Sequence, residues 1–306
     1  MRAVRVHAWQ ELPRLEEMPD ATAGAGCTLV RLQAATVGHI DRTVWSGTFL
    51  RHPPLPYVPG VEAAGVVMSS ARFAVGQRVW LRGAGLGTLR DGTWRELIDA
   101  PDQALGPLPD AVSAPLGSAF FSPCTSAWVA LHDLAKVREG ERVLVTGATG
   151  AVGSIAVQLA REQRARVCAV VTDAAQAART PPGIEALPIE GLDPLADVLV
   201  DTVGGATLVA ALRGVAAGGR AVLVGYTGGT AVQLNLPKLM QRDVALLPLN
   251  MLRREAAGRE AAPALLERIA DGRLTLDVKP FALHEAATAL AWIATRGHLG
   301  RAVLTV

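Results

Sequence analysis

Residues 142–163 read RVLVTGATGAVGSIAVQLAREQ, and the rest of the chain is arranged around them. Residues 142–146 are a short apolar, β-branched run, the composition of a buried parallel strand. Residues 147–153 follow as GATGAVG, a tight turn with three glycines. Val152, Ile155, Ala156, Leu159 and Ala160 then recur at helical spacing and give one apolar face. Strand, glycine turn and helix in this order make a phosphate cradle. The glycines let the backbone turn sharply and approach a pyrophosphate, and the free N–H groups at the positive end of the new helix face the phosphates. Ala148, Thr149, Gly150, Ala151 and Val152 are the expected cofactor contacts of this turn. Glycines alone would equally suit an ordinary turn; the strand before and the helix after favour dinucleotide binding.

The chain has 306 residues, room for about two domains with sizeable cores. Half of it is hydrophobic and the net charge is +2, with no basic patch interleaved with aromatics, so a disordered or nucleic-acid-binding protein is not expected. Cys27, Cys124 and Cys168 lie far apart and suggest neither disulfides nor a zinc cluster, which fits a reducing, cytoplasmic setting. Residues 1–17 carry acidic groups and no apolar core, unlike a signal peptide, and no stretch is apolar for long enough to span a bilayer.

Residues 1 to about 115 read as short strands between Pro, Gly and Ser turns, the pattern of an all-β module. Residues 120–134 read as a helix leading into the nucleotide-binding half. Beyond the glycine turn, strands are expected at 166–171, 184–189, 197–202, 220–225 and 244–249, with a helix at 208–217 that Gly218 and Gly219 end. Helices near 262–270 and 283–295 and a strand at 302–306 complete the chain. The expected fold class is therefore α/β: an all-β domain plus a doubly wound parallel-sheet, Rossmann-type domain. In such sheets ligands sit beyond the carboxyl ends of the strands, which selects Val203 and Gly204, Gly225, Tyr226 and Thr227, and Asn250 and Met251 as cofactor contacts. Trp45, Tyr57 and Trp128 are the expected substrate contacts of an apolar pocket, though aromatics equally suit a core and Tyr57 suits buried packing better than catalysis.

Several ordered blocks carry a family resemblance: SGTF at 46–49, LPYVPGVEAAGVV at 55–67, GERVLVTGATGAVG at 140–153, DTVGG at 201–205 and GHLGRAVLTV at 297–306. Together they resemble the medium-chain dehydrogenase/reductase superfamily, and within it the zinc-independent quinone oxidoreductase branch. The resemblance implies a GroES-like β domain over residues 1–118 and 252–306 and a Rossmann NAD(P)-binding domain over 119–251. It also implies a homodimer paired through the strand at 244–249.

Zinc-dependent relatives place a cysteine where this chain has Gly38 and a histidine where it has Val61, and neither residue present can bind zinc. A catalytic metal is therefore not expected, and no Lewis acid would polarise the substrate. The resemblance also supplies site roles. Ser126 matches a threonine at the nicotinamide end of the cofactor, and Arg301 a lysine that reaches the cleft. Asp41 matches an acidic position that orients the site. His39, in the turn that replaces the metal-ligand segment, could give a proton to substrate oxygen. The alternatives are an N-cap or helix hydroxyl for Ser126, a solvated strand-end arginine for Arg301, a hydrogen-bonded structural carboxylate for Asp41 and a loop histidine bonded to backbone for His39.

Cofactor choice rests on the tip of the second strand, where NAD-binding folds usually place an acid. Val171 stands there, followed by Thr172 and Asp173, with Arg179 as the nearby cation. The expectation is NADPH, with NADH as the alternative because Asp173 would repel a 2′-phosphate. The function implied is hydride delivery to a quinone or an electron-poor C=C or C=O of a small molecule in the cleft between the two domains. An enoyl-thioester reductase shares this architecture. A catalytically silent dinucleotide-binding sensor is the reading from another class, and turnover with any acceptor separates it from an enzyme.

Overall fold

A computed structural model describes residues 1–295, 297 and 299–306, so His298 of the expected C-terminal block lies outside the described residues. The chain divides into two compact units: Met1–Phe121 with Ile269–Asp271 and Leu276–Val306, and Ser122–Arg268 with Gly272–Thr275. The sequence-based limits put residues 252–268 with the β module, whereas they pack with the parallel-sheet unit. The reason is local: Gly258 leaves room for Met251 and Thr125, whose atoms would lie 3.2 Å from a Cβ at that position.

In the first unit, β1 (Arg2–Arg5) pairs antiparallel with β2 (Arg14–Glu17). The central strand is β3 (Cys27–Val37). Its Val30, Leu32 and Ala34 are buried while Arg31 and Gln33 face water, the alternation of a strand with one core face. A short helix, α1 (His39–Trp45), follows. Then come β4 (Glu62–Ser69), β5 (Arg78–Arg82), β6 (Leu97–Pro101), β7 (Leu105–Pro107) and α2 (Ala114–Ala119).

The second unit opens with α3 (Phe121–Trp128), which passes into a π-helical stretch at Val129–Ala135 closed by Lys136 in the left-handed conformation. The one helix expected over 120–134 is therefore two pieces of different pitch. Next are β8 (Arg142–Thr146), α4 (Ala151–Glu162), β9 (Arg166–Val171), α5 (Ala174–Ala178), β10 (Glu185–Pro188), β11 (Ala196–Asp201), α6 (Gly205–Ala211), β12 (Val215–Leu223), α7 (Leu236–Arg242), β13 (Ala245–Pro248) and α8 (Glu255–Ala270). The six strands order β10-β9-β8-β11-β12-β13 and pair parallel throughout. This is a doubly wound sheet with its reversal between β8 and β11. Strand interiors such as Val143-Leu144-Val145 and Val198-Leu199-Val200 are buried, as a sheet covered on both faces requires. One expectation fails here. Gly218 and Gly219 do not stop a helix but lie inside β12, where the register against β11 shifts between Ala196↔Val215 and Val198↔Arg220. Glycines in a strand mark a bulge as readily as a helix end.

The chain then returns to the first unit with β14 (Val278–Ala282), α9 (Ala286–Ala294) and β15 (Arg301–Thr305). Its sheet runs β14-β15-β3-β4-β5-β7, with β6 also paired to β3. Trp94, Leu81, Leu86 and Ile98 are among the largest fully buried side chains of its core.

Candidate functional site

The glycine turn sits at the carboxyl end of β8, where the strand order reverses. Gly147 has φ +60°, and a Cβ there would lie 2.5 Å from Thr202 Oγ1. Only glycine meets both conditions without strain. A Cβ on Gly153 would meet the Gly147 carbonyl oxygen at 2.1 Å, so the first turn of α4 lies directly on the turn before it. Gly150 is different: it is the N-cap of α4 with an extended backbone (φ −82°), and a Cβ would meet only the Gly147 oxygen, at 3.2 Å. The first N–H groups of α4 have no carbonyl one turn back within the helix, as at any helix start, and so suit an anion.

A polar latch fixes this turn. Thr146 Oγ1 donates to Asp201 Oδ1 at 2.6 Å and accepts from the Thr202 N–H at 3.0 Å. Thr202 Oγ1 donates to the Thr146 carbonyl at 2.8 Å, and Asp201 Oδ2 accepts from the Gly204 N–H at 2.8 Å. Asp201 is fully buried, and burial pushes its carboxyl above the ordinary range despite these donors. Two of the latch's partners end β8 and β11, so it ties the two strands that flank the reversal. Sequence reasoning gave these residues no role; the signal was an aspartate closing the apolar run DVLVDT.

The loops after β11 and β12 pack backbone against backbone. A Cβ on Gly204 would lie 2.9 Å from the Gly225 oxygen and from Tyr226 Cα. Val203, Gly204, Gly225, Tyr226 and Thr227 are thus brought together, with Tyr226 59% exposed. Ser126 lies buried in α3, one residue from Thr125, which neighbours Met251 across Gly258. Asn250 caps the turn into α8, its Oδ1 accepting from the Leu252 and Arg253 N–H groups at 3.0 and 3.2 Å. At the end of β9, Asp173 is the N-cap of α5 and accepts from the Gln176 N–H at 2.8 Å. Gln176 in turn donates to Thr172 Oγ1 at 2.7 Å, and Arg179 ends α5.

In the first unit, α1 and the last strand build a buried charge cluster. Asp41 caps α1 by accepting from the Gly38 N–H at 2.7 Å, and it is 1% exposed. Arg301 donates to Glu62 Oε2 at 2.6 Å, with Arg82 3.8 Å from the other oxygen. A Cβ on Gly38 would lie 3.2 Å from Arg301 Nη2 and 3.5 Å from Asp41 Oδ2. Burial above all, then the Glu62 carboxylate, raises the Asp41 carboxyl to about 7, opposed by the Gly38 N–H and by Arg301. Among the described residues Asp41 Oδ1 and the Tyr57 hydroxyl have no hydrogen-bond partner. Tyr57 is buried against Val6 and Val44 and near Trp9, and burial pushes its phenol upward. His39 opens α1 and is exposed.

The aromatic residues expected to line a pocket divide. Trp45 is half-buried and donates to the Glu11 carbonyl at 2.6 Å. Trp128 is half-buried, stacks on His132 at 3.6 Å and has the Arg268 guanidinium over its ring at 5.4 Å, contacts within its own unit that suit packing. No group of three or more His, Cys, Asp and Glu side chains suited to a metal converges among the described residues, and no helix among them is long and apolar enough to cross a membrane.

Residues 24–110 match the model for the alcohol dehydrogenase GroES-like domain, and residues 185–304 the model for zinc-binding dehydrogenases. The chain is 27% identical to rat quinone oxidoreductase over 271 residues, covering 82% of this chain and 80% of the relative. It is 28% identical over 250 residues to a phenolphthiocerol/phthiocerol polyketide synthase of Mycobacterium tuberculosis, covering 76% of this chain but only 11% of that protein. The solved quinone oxidoreductase of Thermus thermophilus, described with its NADPH complex, superposes over all of both chains with a TM-score of 0.81 at 28% identity.

Proposed function

Because the chain belongs to the medium-chain dehydrogenase/reductase superfamily, in its quinone oxidoreductase-like branch, we propose that it is an NADPH-dependent, metal-independent oxidoreductase reducing a quinone or another electron-poor C=C or C=O. The observation that carries this reading is the glycine turn, latched by Thr146 and Asp201 at the reversal of the sheet. The dense packing about Gly147 and Gly153 leaves bare backbone at the head of α4, which fits a pyrophosphate.

When bound, the dinucleotide supplies the hydride. The chain's own residues hold and orient it. The first-turn N–H groups of α4 would take the phosphates, and the Val203–Gly204 and Gly225–Thr227 loops would flank the adjoining sugar. The Ser126 hydroxyl, next in the chain to Thr125, is the donor assigned to the nicotinamide end. NADPH is favoured over NADH because no acid stands at Val171 and the Asp173 carboxylate is engaged in capping α5. The NADPH complex of the Thermus relative supports the same choice. Reduction leaves an oxyanion that needs a proton, and solvent or the exposed His39 supplies it. Asp41 and Tyr57 are buried and act on the surrounding structure rather than on substrate.

The metal-independent reading rests on residue chemistry. Gly38 and Val61 offer no ligand, and the Arg301 guanidinium, held by Glu62, places a fixed positive charge beside Gly38. The similarity to a polyketide synthase favours enoyl-thioesters as the second substrate class. A screen of quinones, enones and enoyl-thioesters with NADPH and NADH tests the proposal. Turnover with NADPH above NADH, unchanged by chelators, is expected. Stoichiometric zinc tied to activity would overturn the metal-independent part, and NADPH binding without turnover of any acceptor would leave a sensor.

A further inference from the structure

Two cavities open at the amino-terminal ends of the parallel strands, away from the glycine turn at their carboxyl ends. A cavity of about 380 Å³ opens there, lined by Arg142, Arg161, Arg166, Cys168 and Glu185 among others. Arg142 opens β8, Arg166 opens β9 and Glu185 opens β10. Arg161 lies in the last turn of α4, where the carbonyl end of the helix favours a cation. Glu185 is engaged on two sides: it is 3.3 Å from Arg142 Nη2, and it accepts from the Cys168 thiol at 3.3 Å. Among the described residues Arg161 and Arg166 have no carboxylate partner. The first cavity is therefore lined by three guanidinium groups and one carboxylate, which pairs with Arg142.

A second cavity, of about 220 Å³, shares Arg142 and Glu185 with the first. Its walls include Leu187, Leu192 and Leu195, and Leu195 is 59% exposed although apolar. The two cavities thus share the Arg142–Glu185 pair as a common wall, and the second adds apolar side chains and one further carboxylate, Asp193.

We propose that these neighbouring cavities together bind an amphiphilic anion, a phosphate monoester with a short apolar body, its phosphate on Arg161 and Arg166 and its chain over Leu187, Leu192 and Leu195. Guanidinium forks match phosphate oxygens, and pairing two of them with one dianion meets the local charge surplus. The apolar arm distinguishes this ligand from free phosphate, which has nothing to place in the second cavity. The site shares no residue with the cofactor contacts, so it stands whether or not the proposed oxidoreductase reading does.

Calorimetric titration of the full chain with hexyl phosphate, inorganic phosphate and hexanol tests it, with and without saturating NADPH. Hexyl phosphate should bind at least about tenfold more tightly than either part alone, because the head and the chain each add contacts. The double variant R161Q/R166Q, both positions exposed and so expected to fold, should weaken it about tenfold or more. Glu185→Gln should tighten binding, since it removes the like charge that both cavities share, and Leu195→Ser should weaken hexyl phosphate while leaving inorganic phosphate unchanged. Equal affinity for hexyl and inorganic phosphate, indifference to R161Q/R166Q, or displacement of hexyl phosphate by NADPH would overturn the proposal.

Discussion

Asp41 is the residue whose setting departs furthest from what its type suggests. It is a carboxyl with one backbone donor and one unsatisfied oxygen, buried beside Glu62 and Arg301. Its proton is held to about 7, above the ordinary carboxylate value, so the folded state binds a proton that the unfolded chain releases near pH 4. The sign follows: this group's contribution to stability is greatest below about pH 4 and is lost as pH rises towards about 7. Asp41→Asn keeps the acceptor for Gly38 and has no charge to bury. Its stability relative to wild type, from urea unfolding, should climb by up to about 4 kcal/mol between about pH 4 and pH 8. A flat difference would show that the carboxyl is ionised throughout. The sequence made Asp41 legible as an acid of structural use, but not the cluster around it. Glu62 and Arg301 are 239 positions apart, and Thr146 and Asp201 are 55 apart. No local pattern announces such pairs, because each residue alone also suits a solvated strand end.

At the scale of elements, the strand–turn–helix unit was the most legible part, since its period, glycines and apolar face all agree. It also sorts its glycines. Gly153→Ala should destabilise the protein by about 2 kcal/mol or more, because a Cβ has no room against the Gly147 carbonyl. Gly150→Val should lower the melting temperature less than Gly153→Ala does, since its Cβ meets only the Gly147 oxygen, at 3.2 Å, on an extended backbone, and should weaken dinucleotide binding through bulk at the helix head. Thermal unfolding and cofactor titration of both variants check this; the reverse order would place the tight packing at Gly150. Less legible were the elements whose signals were mixed. Gly218 and Gly219 resemble a helix stop because a helical run precedes them, yet tertiary pairing with β11 makes them a bulge. α7 has no buried residue and gave no period, and α8 starts at Glu255, ahead of the helix read near 262–270, with Pro263 inside it.

At the scale of the whole molecule, β13 is the open edge of the six-stranded sheet, as the order of the strands implied. Leu246 and Leu247 are half-buried there, and nearby in the chain Leu236 and Met240 of α7 are 62% and 78% exposed. Such an edge invites pairing with a second copy through a two-fold interface, limited by Pro248, which has no N–H to donate. Light scattering at micromolar concentration should report a dimer, and Leu247→Asp should shift it towards monomer. A wild-type monomer would overturn this.

The β unit, by contrast, has a strand from the end of the sequence in its middle: β15 lies between β14 and β3, paired with both. On the ribosome, β3 emerges early; β6 can pair its first half, but the edge at Ala34–Val37 must wait until residues 301–305 appear. The parallel-sheet unit, complete by Thr275, can settle during that interval. Synthesis order and sheet order are therefore opposed at this one seam, and the second half of β3 is an exposed strand edge for as long as β15 is unmade.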